Sequence, residues 1–315
     1  MADVTGGSTG TSSSEGSGSS TTTGVEPIVC DGGALRGDVF DPNEVYVVGT
    51  LQEGACGRDV VAHWSSMDDA VAGFSCNFAG NRGAIRPGDG RLVYADAPGI
   101  ELREFHCDAC PVDSALNYPS PVLDNDPVLP APACKKDGSS SLFFRLGPDG
   151  EYAYQCNFNP NDWYDGSGAL VFSDEDESLI RLGHDRLALT GSSVVELDTG
   201  TRTPISGLPA GIISARADPS DGFRVVVNTT PLELWHVAPD GNADLVGTFP
   251  PLPDGHQALA TALDGCDALY RVTFIASTGL DAVVRQPLDG VAEIVFTESD
   301  DSLVRIHDAG LFTGP

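Results

Sequence analysis

The chain has 315 residues, is 41% hydrophobic, and sets 46 Asp and Glu against 17 Lys and Arg, a formal charge of −29. Such a surface repels nucleic-acid phosphates and anionic lipid heads, so nucleic acid is excluded as an expected partner. Apolar runs such as residues 269–276 fall far short of the roughly 20 residues that cross a bilayer, and no transmembrane segment is predicted.

In chain order, residues 1–27 come first. Positions 5–24 hold Ser, Thr and Gly apart from Glu15. A segment without apolar side chains cannot offset the entropy lost on ordering, so it is expected to be a disordered tether. At about 5–6 Å times the square root of its length, its ends would average roughly 25 Å apart. Met1-Ala-Asp-Val lacks the basic start and apolar stretch of a signal peptide.

Residues 28–315 are expected to form one all-β domain. From about Asp38 onward, short strands are separated by Gly, Pro and Asp turns, and no stretch keeps a helical apolar period for three turns. Strands are predicted at 45–49, 59–64, 70–76 and 91–96, then at 141–146, 151–156, 223–228 and 232–237. Between them, residues 111–133 carry six prolines and no strand pattern, so about 108–133 reads as a Pro-rich surface insertion. Two later units, at 212–249 and 257–298, each repeat strand, turn, strand, loop, strand, turn, strand in about 40 residues, the size of one propeller blade. The expected fold is a β-propeller of six four-stranded blades, with seven as the alternative. The C-terminal strand at 302–307 and the N-terminal strands near Val39 and Tyr46 lack partners of their own. Joining them would make a composite blade, close the ring and remove exposed edges.

A duplicated cysteine pattern strengthens the repeat. Cys56 precedes Cys76-Asn-Phe, and Cys134 precedes Cys156-Asn-Phe; the first cysteines lie 78 residues apart and the second 80. Paired cysteines point to an oxidising compartment. Cys56 and Cys76 flank a predicted hairpin, where a disulfide would contribute about 3 kcal/mol. Cys134 and Cys156 fit a hairpin less well, because the turn at Pro148-Asp-Gly sets Cys156 opposite about Ser141; that bond is expected from the repeat. Cys107 and Cys110 form a His-Cys-x-x-Cys run, read as a local or loop-anchoring disulfide rather than a redox pair or zinc site. Cys30 and Cys266 remain, and their pairing would tie the N-terminal segment to the last full blade.

Asp149-Gly-Glu-Tyr-Ala-Tyr and Leu232-Glu-Leu-Trp-His-Val-Ala-Pro-Asp-Gly resemble the blades of TolB-type β-propellers, which carry a Pro-Asp-Gly turn before one strand. Val194-Val-Glu-Leu-Asp-Thr-Gly-Thr-Arg-Thr-Pro-Ile looks like the outer hairpin of the same unit. The resemblance covers about residues 56–300 and implies a propeller. The Ser/Thr/Gly tether also resembles the mature start of bacterial surface lipoproteins, which implies a lipidated cysteine at or before the position of Met1. The expected location is extracytoplasmic: at the cell surface or outer membrane, in the periplasm, or secreted.

No Gly-x-Ser-x-Gly, His-Glu-x-x-His or Gly-Lys-Ser/Thr motif occurs. The histidines at 63, 106, 184, 236, 256 and 307 are scattered; His184-Asp and His307-Asp recur ahead of turns, as a structural repeat would. A ligand-binding expectation falls on Asn161, Asp162, Trp163, Tyr164 and Asp165 in a predicted connecting loop, where aromatics beside carboxylates suit sugar stacking or a protein contact; the competing expectation is that both rings tuck back onto the blade. Asp174-Glu-Asp-Glu offers calcium-type oxygens but lacks the spaced order of a calcium loop, so it reads as a solvated turn and no cofactor is expected, calcium being the alternative. The expected function is that of a monomeric, non-enzymatic binding propeller for a protein or glycan. The alternative is a secreted glycan hydrolase or lyase that uses Asp/Glu carboxylates.

Overall fold

The computed structural model describes residues 40–51, 59–64, 78–96, 102–104, 127–129, 131–137, 142–156, 161–175, 177–299 and 304–315. Cys30, Cys56, Cys76, Cys107 and Cys110, and the 1–27 segment, lie outside the described residues.

Among the described residues, twenty-three strands, one short α-helix and a 3-10 turn at His184–Arg186 follow one another. β1 (Tyr46–Leu51) and β2 (Asp59–His63) pair as a hairpin. Next come β3 (Phe78–Ile85), β4 (Leu92–Asp96), β5 (Leu102–Glu104) and β6 (Pro127–Leu129), an antiparallel meander. The helix α1 (Pro132–Asp137) leads into β7 (Leu142–Leu146), β8 (Tyr152–Cys156), β9 (Asp162–Asp165) and β10 (Leu170–Ser173). A third meander holds β11 (Arg181–Leu182), β12 (Leu187–Leu189), β13 (Ser193–Glu196) and β14 (Thr201–Pro204). The fourth holds β15 (Ile212–Ala217), β16 (Phe223–Val227), β17 (Glu233–Val237) and β18 (Ala243–Thr248). The fifth holds β19 (His256–Leu263), β20 (Leu269–Ile275), β21 (Leu280–Gln286) and β22 (Glu293–Thr297). The last strand, β23 (Val304–Phe312), returns to pair antiparallel with β1, with Tyr46 opposite Phe312 and Val47 opposite Leu311.

The described residues thus form five antiparallel four-stranded sheets and one three-stranded sheet in the order β2-β1-β23. This all-β arrangement of repeated meanders is consistent with a β-propeller. The first strands are neighbours in sequence order: β3 lies by β7, β7 by β11, β11 by β15, β15 by β19, β19 by β23, and β23 by β3.

Where a sheet lies between two others, its inner strands bury both faces and are dense in β-branched residues rather than strictly alternating, as in β16. There Phe223, Val225, Val226 and Val227 are all buried. The core therefore divides into layers between successive sheets. Ala153, Trp163 and Phe172 meet Leu182, Ala188 and Val195, and Leu187, Leu189 and Val194 meet Ala215, Phe223 and Val225. Val226, Leu234 and Phe249 meet Leu263 and Leu269, and Val45, Val47 and Ile306 meet Tyr270, Val272 and Val283. Tight hairpins keep the layers close. Gly222 closes the β15–β16 turn at φ +75°, and a Cβ there would sit 2.2 Å from the Val237 carbonyl oxygen, so only glycine fits.

Two expectations for the central stretch change. The end of the Pro-rich segment is not structureless: β6 pairs with β5, and α1 packs against β8. The helix also answers how Cys134 reaches its partner. In the β7–β8 register Cys156 lies opposite Leu142, and α1 folds back to set Cys134 within a Cα–Cα distance of 5.3 Å, forming the Cys134–Cys156 disulfide. Cys266 is also disulfide-bonded, to a partner outside the described residues.

Candidate functional site

Residues of β3, β7, β11, β15 and β19, with the end of the chain from β23 onward, line a cavity of about 250 Å³. β3 contributes Ala84, β7 Phe144, Arg145 and Leu146, β15 Ser214, β19 Thr261, and the end of the chain Leu311 and Thr313. Ile180 and Arg181 enter from the β11 edge. Aliphatic side chains are the commonest lining residues, but the larger share of the lining surface is polar, with Arg145, Arg181, Ser214, Thr261 and Thr313 among them.

The arginines arrive by repetition. Leu146 pairs with Tyr152 at the end of the β7–β8 hairpin, Leu182 with Ala188 in the next sheet, and Ala217 with Phe223 in the one after. The residue preceding each of these is Arg145, Arg181 and Arg216. The same register position carries Ala262 before the Leu263–Leu269 pair, and Ala84 before the Ile85–Leu92 pair. Three successive sheets thus present an arginine where two others present alanine.

Each of the first two guanidiniums leans on the following sheet. Arg145 Nε donates to the Ile180 carbonyl at 2.8 Å and its Nη1 to the Phe144 carbonyl at 2.9 Å. Arg181 Nε donates to the Ala215 carbonyl at 2.8 Å. Arg145 also lies over the Trp163 ring, 5.6 Å from its centroid, which fixes the guanidinium from below. Arg216 is 6% exposed, and its Nε and Nη1 make no hydrogen bond among the described residues. Burial lowers the pKa of Arg145. Arg181 is pushed down to about 9, first by burial and then by the like charges of Arg145 and Arg216. For Arg216 burial again leads, opposed by Asp264, Asp267, Asp218 and Asp41. All three stay protonated near neutral pH.

Carboxylates gather instead at the hairpin turns. Asp218 is 2% exposed, pairs with Arg224 Nε at 2.7 Å, and has a lowered pKa because hydrogen bonds from Ser220 and the charges of Arg224 and His236 outweigh its burial. Asp264 is 1% exposed and accepts the Cys266 and Ala268 N–H groups at 2.8 Å; burial nonetheless raises its pKa to about 6.

The residues singled out from sequence fall elsewhere. Residues 162–165 are strand β9 rather than a loop, and Trp163 is 1% exposed in the layer between two sheets, so its ring offers no face to a ligand at the surface. Asn161 lies in the preceding turn. Asp162 accepts the Ser173 hydroxyl at 2.6 Å, Tyr164 pairs opposite Leu170, and Asp165 caps its own turn through Ser167 and Ala169. Asp174 pairs with Arg202, and Glu177 accepts the Thr190 and Ser192 hydroxyls. His184 Nδ1 reaches Asp149 Oδ1 at 2.8 Å and so ties two adjacent turns together. The cavity arginines were missed, although Arg145-Leu-Gly-Pro-Asp and Arg181-Leu-Gly-His-Asp carry the signal in plain sequence.

No protein-family model matches the chain, and no curated protein matches it. Among solved structures it is similar to the extracellular domain of BT4673 from B. thetaiotaomicron, at 14% identity and a TM-score of 0.41 over 86% of this chain. The chain spans 36% of the length of that protein. It is also similar to a catalytically inactive virginiamycin B lyase from Staphylococcus aureus with quinupristin, at 12% identity and a TM-score of 0.39, over 82% of this chain and 86% of that one. Puromycin hydrolase is similar at 14% identity and a TM-score of 0.42, over 85% of this chain and 55% of that one.

Proposed function

We propose that the protein is a non-enzymatic, extracytoplasmic binding module: a monomeric six-bladed propeller whose ring is closed by β1 and β23, and whose ligand site is the central cavity. The observation that carries the reading is the lining itself, to which the first strand or strand edge of every sheet contributes. The cyclic order of those strands supports a closed ring of six. Guanidiniums that stay charged across the working pH range hold ligands but do not exchange protons with them, which favours binding over acid–base chemistry. The bonded Cys134, Cys156 and Cys266 support an oxidising location. The Ser/Thr/Gly composition of residues 5–24 supports a tether, and a surface lipoprotein of TolB-like build fits that picture.

A small-molecule screen by thermal shift and ligand-observed NMR on the full chain tests this. Hits are expected to bind the parent, to lose binding in Thr261→Trp, which fills the cavity, and to be recovered unchanged by mass spectrometry. A hit converted to product would overturn the non-enzymatic reading. Hits indifferent to Thr261→Trp would move the site out of the channel.

A further inference from the structure

We infer that the cavity recognises an oxyanion: a small molecule whose carboxylate or phosphate group is bridged by Arg145 and Arg181, with its apolar remainder against the aliphatic lining residues. The inference rests on the reading of the cavity as the ligand site.

Three observations carry it. First, the two guanidiniums come from adjacent first strands and line the same cavity. Second, their charge is not balanced by the protein. Arg86, Arg186, Arg202, Arg224 and Arg285 each pair with an Asp or Glu, whereas neither Arg145 nor Arg181 has a carboxylate within ion-pair distance among the described residues. Arg216 and Arg271 also make no ion pair among the described residues, but neither lines the cavity. Carbonyl oxygens take two N–H groups of Arg145 and one of Arg181, out of five on each guanidinium. Two like charges in a low-dielectric interior repel, and an anion between them turns that repulsion into two charge-assisted, fork-shaped contacts. Third, the forks are held in advance: Trp163 lies under Arg145, and the Ile180 and Ala215 carbonyls anchor each Nε. A held fork loses little entropy on binding.

Arg216 makes the comparison sharper. It holds the same register position in the next sheet and makes no ion pair among the described residues, but the charges of Asp264, Asp267, Asp218 and Asp41 favour its protonated form. The protein therefore supplies counter-charge to the third arginine and withholds it from the two that face the cavity. The desolvation of Arg181, deepened by Arg145, is the electrostatic expression of that arrangement. The volume of about 250 Å³ lies just under the roughly 300 Å³ at which drug-sized sites begin, so the ligand is a small metabolite or one end of a longer chain. Ser214 and Thr261 add hydroxyls to the lining.

The test uses the full chain, dialysed into buffer free of carboxylate and phosphate, with calorimetry and thermal shift. The probes are inorganic phosphate, benzoate, and benzamide as the neutral match for benzoate. Benzoate, phosphate or both are expected to bind and stabilise, with benzamide at least tenfold weaker. Arg181→Gln, whose parent side chain contacts the protein through one carbonyl, is expected to weaken the anion by about 10- to 100-fold. Arg145→Met should do the same if it folds. In anion-free buffer Arg181→Gln should melt no lower than the parent, which separates lost binding from lost structure. Benzoate alone would assign a carboxylate ligand, and phosphate alone a phosphate ligand. If benzamide binds as well as benzoate, or if Arg181→Gln leaves anion binding unchanged, the anion inference is overturned while the cavity remains a binding site. If neither the charged nor the neutral probes respond and no screening hit depends on Thr261, both readings fall.

Discussion

At the residue scale, the chain uses buried charge in two opposite ways. Arg145 and Arg181 are charged groups kept facing a cavity, whereas Asp264 is an acid pressed into the core beside a hairpin turn. Because burial raises the Asp264 pKa from 3.8 to about 6, the folded state holds that proton more tightly than the unfolded chain does. Its contribution is therefore greatest below about pH 4 and is lost as pH rises through about 6, a change of about 2–3 kcal/mol. Asp264→Asn keeps an oxygen for the Cys266 and Ala268 N–H groups and removes the charge. It should unfold at higher urea than the parent at pH 7.5 and show little difference at pH 4.5. Trp163 makes a different prediction, because it fills the layer beneath Arg145 at 1% exposure. Trp163→Ala should cost about 3–5 kcal/mol in urea unfolding. A change below 1 kcal/mol would mean that the ring does not fill that layer.

At the element scale, hairpins supply local order and two long-range links tie them together. The helix α1 has only six residues and would not persist alone. Cys134 binds it to β8, closing a loop of 22 residues, and Ala133 N donates to the Tyr154 hydroxyl at 3.1 Å. Replacing both Cys134 and Cys156 by Ala is expected to lower stability by about 3 kcal/mol, measured as the difference in urea midpoint times slope. The second link is β1–β23. Ending the chain after residue 303 would remove β23 and strip β1 of one of its two partners, exposing its ladder, so the truncated protein should lose its cooperative melt and self-associate on size exclusion. A monomeric, cooperative truncation product would show that the terminal pairing is dispensable. Hairpins at 212–298 were legible because the Asp-Gly turns and β-branched runs are local signals. The fourth strand β6 was not, because a three-residue strand after a Pro-rich stretch has no pattern of its own and is defined by pairing with β5.

At the scale of the whole molecule, a charge of −29 means that repulsion between carboxylates acts against the folded chain. Salt screens such repulsion over roughly 8–10 Å at physiological strength, so the melting temperature should rise between 20 and 300 mM NaCl. An unchanged or falling value would mean that paired surface charges outweigh the repulsion. The same field opposes the approach of an anion, so its association rate should also rise with salt even though its contacts inside are attractive. By itself the sequence determined the all-β class, the hairpin positions at 212–298 and the acidic composition, because these follow from near-neighbour patterns and residue counts. The duplicated motifs at 91–96 and 169–174 instead fall on the second strand of one sheet and the fourth of another. The sequence also placed an arginine at one register position in three successive sheets. What that position means was decided only by tertiary structure. The cavity wall is assembled from segments spread over residues 84–313, and no local pattern says that they face one another. Packing likewise took Trp163 from a predicted connecting loop into the layer under Arg145, because in β9 it is the residue that turns toward the next sheet while Asp162, Tyr164 and Asp165 stay partly exposed.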